Sequence, residues 1–272
     1  MRPLRIKPMD TILKQLSDHA RERVEVEQMK SPKEVLQQLC AVGAAPKREP
    51  FCFEKSLAKP GLSFICEVKK ASPSKGIIAE PFPYLEIGEE YEKAEADCIS
   101  CLTEPKWFLG SDRIFTDIRA RVGVPMLRKD FTVDEYQIYQ AKLMGADAVL
   151  LICAILDGQA IRRSLELCDK LGLSAVVEAH DEAEVKTAVQ SGARIVGVNN
   201  RNLKDFSVDT GNSRRLRSFV PPNVLFVAES GVGTARDVEV LRKTGVDAVL
   251  IGEALMRAPD KKAMLSELRG KK

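Results

Sequence analysis

From residue 63 onward the chain repeats one unit, a short and nearly unbroken apolar run followed by a longer amphipathic stretch. The runs are Ser63–Val68, Cys98–Leu102, Pro125–Leu127, Ala148–Ile152, Leu173–Val177, Arg194–Val198, Val224–Ala228 and Ala248–Ile251. Strands buried on both faces read this way, because helices cover the outside of a parallel sheet. The stretches between them open on N-cap residues, as at Asp134, Asp157, Asp181 and Thr234. Gly145, Gly192 and Gly245 stand just past helix ends, where a left-handed cap is expected. Eight strand-and-crossover units predict an α/β fold, the (β/α)8 barrel, with a doubly wound sheet as the alternative. An internal echo favours the barrel: Gly145-Ala-Asp-Ala-Val-Leu-Leu-Ile152 returns as Gly245-Val-Asp-Ala-Val-Leu-Ile-Gly252, as two half-barrels would produce.

The first sixty residues read as helix. Ile12, Leu13, Leu16, Ala20 and Val24 recur at spacings of three and four, the apolar stripe of an amphipathic helix. Ser31-Pro-Lys-Glu34 predicts a capping box with proline at the first helical position. Pro46, Pro50 and Pro60 then punctuate a loop. The expectation is one domain over residues 1–272, with 1–62 as a helical extension of the barrel.

With 44% hydrophobic and 30% charged residues, the chain has the composition of a soluble globular protein. Its net charge of +3 gives no footprint for nucleic acid or a membrane surface. The longest apolar run, Ala148–Leu156, is far short of the roughly 20 residues that span a bilayer. The N-terminus has basic residues but no apolar segment of the secretory kind, so a cytoplasmic location is expected. Seven scattered cysteines suit buried thiols in a reducing compartment. Cys98 and Cys101 fall three apart on one strand, hence on opposite faces.

In a barrel of this kind the site lies where the strands end. The apolar runs are followed by Glu67-Val-Lys69, Thr103-Glu104, Arg128-Lys129-Asp130, Glu178, Asn199-Asn200-Arg201 and Glu229-Ser230-Gly231. Unpaired charges gathered in one mouth would cost several kcal/mol each, so convergence on a polar ligand is the economical reading. Lysines and carboxylates held close shift one another's proton affinities, which supplies acid and base without histidine. His19 reads as a solvated surface residue and His180 as a loop or cap residue beside the mouth. No cluster has zinc-ligand spacing.

Ser230-Gly-Val-Gly-Thr234 and Gly252-Glu-Ala-Leu255 each lead from a strand end into a helix, an arrangement for binding phosphate on backbone N–H groups or, more simply, for tight turns. Lys69-Lys-Ala-Ser-Pro-Ser-Lys-Gly76 suits a second anion such as a carboxylate, or is a solvated charged loop. Trp107, Phe108 and Phe131 wall an aryl pocket or are ordinary loop packing.

Taken together, Glu67–Gly76, Leu102-Thr-Glu-Pro105, Leu127-Arg-Lys-Asp-Phe131, Glu178-Ala-His-Asp181, Gly197-Val-Asn-Asn-Arg-Asn-Leu203, Glu229-Ser-Gly231 and Ile251-Gly-Glu-Ala-Leu-Met256 strongly resemble the indole-3-glycerol phosphate synthase family, in the same order and over nearly the whole chain. The resemblance implies a phosphate-binding barrel whose N-terminal extension packs over the mouth, and no cofactor or metal. It implies that 1-(2-carboxyphenylamino)-1-deoxyribulose 5-phosphate closes to indole-3-glycerol phosphate with loss of carbon dioxide and water. Carried over residue by residue, Lys129 is similar to the general acid and Lys69 to the lysine that binds the carboxylate. Glu178 resembles the carboxylate that assists dehydration, and Glu67 the one that positions Lys129. Asn199 and Glu229 match residues that hold the ribulose portion. Ser230 stands with this catalytic set and, with Gly231, Gly252 and Glu253, in the phosphate-binding stretch, where Glu253 can offer only its backbone. Ser72 and Arg201 resemble anion-contacting positions, and Phe108 and Phe131 substrate-contacting ones.

Two departures stand out. Cys66 sits where the family more often has alanine, and Trp107-Phe-Leu-Gly110 follows the family's aromatic loop loosely. The chain is expected to lack the fused second barrel of some relatives. The rival readings are a Schiff-base aldolase on a phosphate-binding barrel and a catalytically dead barrel that only binds a metabolite.

Overall fold

The computed structural model of the chain describes residues 12–202 and 206–270. The N-terminal residues read above for a leader, and Leu203 of the sixth-strand motif, lie outside the described residues. Eight parallel strands close into a barrel: β1 (Ser63–Val68), β2 (Cys98–Leu102), β3 (Met126–Lys129), β4 (Ala148–Ile152), β5 (Ser174–Ala179), β6 (Ile195–Asn199), β7 (Leu225–Glu229) and β8 (Ala248–Ile251), with β8 pairing β1. Before β1 come α1 (Ile12–Lys30), α2 (Lys33–Ala41) and α3 (Cys52–Leu57). Between strands run α4 (Tyr84–Lys93), α5 (Asp112–Arg119), α6 (Glu135–Leu143), α7 (Gly158–Leu171), α8 (Glu182–Gln190), α9 (Gly211–Leu216) and α10 (Ala235–Thr244). The chain continues after β8 into α11 (Glu253–Arg257) and α12 (Lys261–Leu268).

The barrel strands sort their side chains by the period of two that a pleated strand imposes. Ile65, Leu127, Leu150, Val176, Ile195, Val227 and Leu250 point inward and form one buried cluster. Their neighbours Phe64, Cys66, Met126, Val149, Val177, Val196 and Phe226 face the helices and form another. Cys98 belongs to the inner cluster and Cys101 to the outer, as the spacing predicts.

Strands β3, β5, β6 and β7 run past the ends of their apolar runs, because Lys129, Glu178, Asn199 and Glu229 are themselves ladder residues. The polar groups therefore stand on rigid strand backbone, at the last inward-facing positions. The internal echo has a structural counterpart: Asp147 Oδ2 accepts from Met126 N–H at 2.8 Å, and Asp247 Oδ2 from Phe226 N–H at 2.7 Å. Each aspartate ties the start of its strand to the preceding one.

Helix starts follow the N-cap signals at Asp134, Asp157, Asp181 and Thr234, each of which accepts from a first-turn N–H. The expected box at Ser31 is absent. Helix α2 begins at Lys33 with Pro32 as N-cap and no side-chain cap, because the proline's extended ψ of 150° places it outside the helix.

The extension touches the barrel in three places. Leu16 and Ala20 of α1 join the inner cluster at the mouth, and α2 packs on the side near α6 through Leu36 and Tyr136. Phe53 and Leu57 of α3 close the opposite end, where Glu54 N–H donates to Ser174 Oγ at 3.2 Å.

Candidate active site

The alternation places Glu67, Lys129, Glu178 and Glu229 in one inward layer, and they meet there. Lys129 Nζ lies 2.6 Å from Glu229 Oε2 and 3.9 Å from both Glu67 Oε1 and Glu178 Oε2. Lys69 Nζ makes an ion pair with Glu67 Oε2. All four side chains of the first group are 12% exposed or less. Asn199 Nδ2 donates to Glu178 Oε1 at 3.3 Å, and its Oδ1 accepts from Arg201 N–H at 3.0 Å.

Two glycines make this layer fit. A Cβ at Gly197 would overlap Glu229 Oε1, and one at Gly252 would overlap Glu67 Oε2 and lie 2.9 Å from Lys69 Nζ. The carboxylates occupy the volume that side chains at these two inward positions would fill.

Three carboxylates face two ammonium groups, so one negative charge in the layer lacks a lysine. Burial, reinforced by the charges of Glu178 and Glu67, outweighs Lys129 and pushes the Glu229 carboxyl up to about 7. For Glu67, burial is outweighed by Lys69 and Lys129, which hold it below the usual carboxylate range. Lys129 is buried, yet the surrounding Glu229, Glu67 and Glu178 hold it above the ordinary lysine value, as an ammonium.

This layer forms the floor of a cavity of about 700 Å³. Lys69, Ser72, Phe108, Phe131 and Arg201 line it, as do Ser230, Gly231, Gly252 and Glu253, so the residues to which the family resemblance gives a role reach one space. Phe108 and Phe131 lie 6.2 Å apart at 41°. Ser230 has φ +68° and Gly231 φ +81°, a left-handed pair that turns the chain sharply after β7. The Glu253 carboxylate pairs with Arg257 at 3.2 Å and Lys75 at 3.5 Å.

Other strand-end charges are engaged outside the carboxylate layer. Glu104 is buried and accepts from the N–H groups of Lys106, Trp107 and Phe108 at 3.0, 2.8 and 3.0 Å, so it shapes its own loop. Arg128 faces outward to Gln137 O and Asp112. Asp130 touches the cavity rim but is held by a fork from Arg23 at 2.6 and 3.1 Å and by Thr103 Oγ1 at 2.8 Å. A charge after a strand end has two physical outlets, the mouth or its own backbone, and composition does not distinguish them.

Trp107 is likewise no pocket wall. It packs edge-on against His19 with centroids 5.6 Å apart, which makes His19 a half-buried docking contact of α1 and not a solvated residue. His180 is also more central than a cap residue: its Nε2 lies 3.4 Å from Glu178 Oε1 and its Nδ1 3.0 Å from Glu184 Oε2. Its spacing of two from Glu178 was the available signal. Arg257, Ile12 and Leu16 also line the cavity. The signal for Arg257 was its place one helical turn beyond Glu253.

The chain matches the family model for indole-3-glycerol phosphate synthase over residues 13–268. It is 58% identical over 223 residues to the indole-3-glycerol phosphate synthase of Ruminiclostridium cellulolyticum, which covers 82% of this chain and 86% of that protein. It is 46% identical over 267 residues to that of Lachnoclostridium phytofermentans, covering 95% and 98%. Among solved structures it is similar to 3-hexulose-6-phosphate synthase from Salmonella typhimurium, with TM-score 0.62, 14% identity, and 77% and 97% of the two chains covered. It is also similar to thiamine phosphate pyrophosphorylase from Pyrococcus furiosus, with TM-score 0.58, 19% identity, and 77% and 94% covered. At such low identity these two structures speak for the barrel alone. With the family match spanning nearly the whole chain and relatives at 46% and 58% identity, the chain belongs to the indole-3-glycerol phosphate synthase family, decarboxylating carbon–carbon lyases of tryptophan biosynthesis.

Proposed function

We propose that this chain closes the indole ring with Lys129 as the general acid. The substrate's aromatic carbon attacks the ribulose carbonyl, and the oxygen that develops negative charge takes a proton from the Lys129 ammonium. An alkoxide is a stronger base than an amine, so this transfer runs downhill even from a lysine whose proton is firmly held. The observation that carries the reading is the Lys129 ammonium set among three buried carboxylates on the floor of the cavity. The same feature speaks against an aldolase, since a Schiff-base lysine must offer a free amine.

Glu67 orients both lysines, and Lys69 with Ser72 and Arg201 receives the substrate carboxylate. Phe108 and Phe131 flank the aryl ring. After carbon dioxide leaves, Glu178 takes the proton from carbon as the hydroxyl departs, with Asn199 holding its carboxylate. Glu229 accepts from a ribulose hydroxyl through Oε1, which is buried with no hydrogen-bond partner among the described residues. The phosphate rests on the backbone of Ser230, Gly231, Gly252 and Glu253, with Lys75 and Arg257 as counter-charge.

In this reading the chain is one domain with residues 1–62 as its extension. It works in the cytoplasm, consistent with its seven free cysteines. Among the described residues no helix is long and apolar enough to cross a membrane. Mixing the purified protein with 1-(2-carboxyphenylamino)-1-deoxyribulose 5-phosphate should produce indole fluorescence. Its absence, or a borohydride-trapped adduct with a ketose phosphate, would overturn the reading.

A further inference from the structure

Ring closure of this substrate takes up one proton per turnover. Protons go to the carbonyl oxygen and then to the departing hydroxyl, while only one returns from carbon. The carboxylate leaves as neutral carbon dioxide, and the charge it abandons must be balanced. A substrate seated in the cavity covers the layer from that side, and Glu178 itself is only 4% exposed. A buried acid–base layer with net proton uptake needs a route to solvent.

One residue joins that layer to a second opening. His180 follows Glu178 by two residues, just past the end of β5 at Ala179, and its Nε2 is buried 3.4 Å from Glu178 Oε1 with no hydrogen-bond partner among the described residues. Its other nitrogen is held by Glu184, whose Oε2 also accepts the His180 backbone N–H at 2.7 Å. Asn212 Nδ2 fixes the His180 carbonyl at 3.0 Å. The ring lines a separate cavity of about 530 Å³ that shares Asn199 and Arg201 with the larger one.

We propose that His180 is the proton carrier between this second cavity and Glu178, with Glu184 as the carboxylate that keeps its ring charged and aligned. After ring closure has left Lys129 as an amine, the imidazolium gives its Nε2 proton to the Glu178 carboxylate, which passes it to Lys129 Nζ 3.9 Å away. A ring N–H bond breaks, an O–H bond forms and breaks in turn, and an N–H bond forms on Lys129. This leaves a neutral ring with its proton on Nδ1, an ammonium for the departing hydroxyl and a Glu178 carboxylate free to take the proton from carbon. A swing of the partly exposed ring toward the second cavity lets a solvent proton recharge it. The groups facing the ring are Glu178 on β5, Glu229 on β7, Asp181 and Glu184 at the start of α8, and Arg201 and Arg215 on the cavity wall. Burial alone would lower the imidazole, but the hydrogen bond to Glu184 and the charges of Glu178, Glu184 and Glu229 outweigh it and raise it above its ordinary value. The proposal rests on Glu178 acting in dehydration.

The test is steady-state kinetics of His180→Gln, which keeps a polar group of similar reach but cannot carry a proton. Expected are a fall in kcat of about tenfold, KM within about twofold, loss of the alkaline limb of the kcat–pH profile, and partial rescue by added imidazole. An unchanged kcat and profile, or a loss that imidazole does not restore, overturns it. Should His180→Gln fail to fold, Glu184→Gln carries the same question. It retains an acceptor for both N–H groups, and the alkaline limb should move to lower pH; a limb that stays in place counts against the carrier. Glu178→Gln separates the two levels. If that variant turns over normally, both the role of Glu178 and the carrier fall. If it is inactive while His180→Gln is normal, only the carrier does.

Discussion

Lys129 and Glu229 stand directly across the barrel mouth from one another, Nζ 2.6 Å from Oε2, while the other oxygen of that carboxylate is left without a partner among the described residues. The pair therefore holds the ammonium in place and keeps one acceptor in reserve. Lys129→Ala should lower kcat by at least about 10³-fold with KM changed only a few-fold, since a general acid acts chiefly in the transition state. Indole fluorescence under saturating substrate reads this directly, and substantial residual turnover would remove Lys129 from its role.

The same carboxylate makes stability depend on pH. The Glu229 carboxyl ordinarily titrates near 4.5 and is raised to about 7 in the folded chain. Between these values the folded protein keeps a proton that the unfolded chain has shed. The stabilisation from this group is complete below 4.5 and is lost as pH rises through 7. Glu229→Gln removes that titration, so its stability relative to the parent should improve by up to about 3 kcal/mol between pH 4.5 and 8. Denaturant unfolding of both proteins at pH 5 and pH 8 tests this, and a difference independent of pH would contradict it.

Arg23 of α1 grips Asp130, the residue after Lys129, with two hydrogen bonds, and Ile12 and Leu16 of the same helix line the cavity. Arg23→Ala leaves Asp130 its bond from Thr103 and a longer contact to Arg128 at 3.6 Å. The expected cost is about 1–3 kcal/mol of stability. KM should rise roughly tenfold with kcat within about threefold, because the loss is of uniform binding. Limited proteolysis should cut α1 sooner in the variant; equal cutting rates and an unchanged KM would refute the docking role.

Gly197→Ala should act on chemistry more than on folding. The new methyl would overlap Glu229 Oε1 and lie 3.0 Å from Val176 Cγ1. Overpacking of this kind costs about 1–3 kcal/mol, but the displaced carboxylate is the partner of Lys129. A fall in kcat of about 10²-fold with a cooperative thermal transition retained is expected. Full activity would mean that the layer is looser than its geometry.

The barrel was legible in the sequence because burial on both faces leaves an unmistakable apolar run. The site was legible because Glu67, Lys129, Glu178 and Glu229 interrupt those runs at their ends. Counting in twos from Val176 through Glu178 already puts His180 on the inward face, but a cap signal at the next residue, Asp181, drew it into the loop. Glu104 and Arg128 could not be sorted from Lys129 by type or place, because the choice between the mouth and a loop's own N–H groups depends on chain reversals that local pattern does not encode. The pairing of His19 with Trp107 spans 88 positions and has no local signature.

The grip of the N-terminal extension on the far end of the barrel bears on how the protein is made. Arg48 reaches Asp147 at 2.8 Å across 99 residues, and Glu54 meets Arg194 at 2.8 Å across 140. During vectorial synthesis the plug residues Phe53 and Leu57 leave the ribosome before their sockets exist. At about 5–20 residues per second they wait roughly 5–30 s with apolar side chains unpartnered. A segment made before the barrel is thus among the last to find its place.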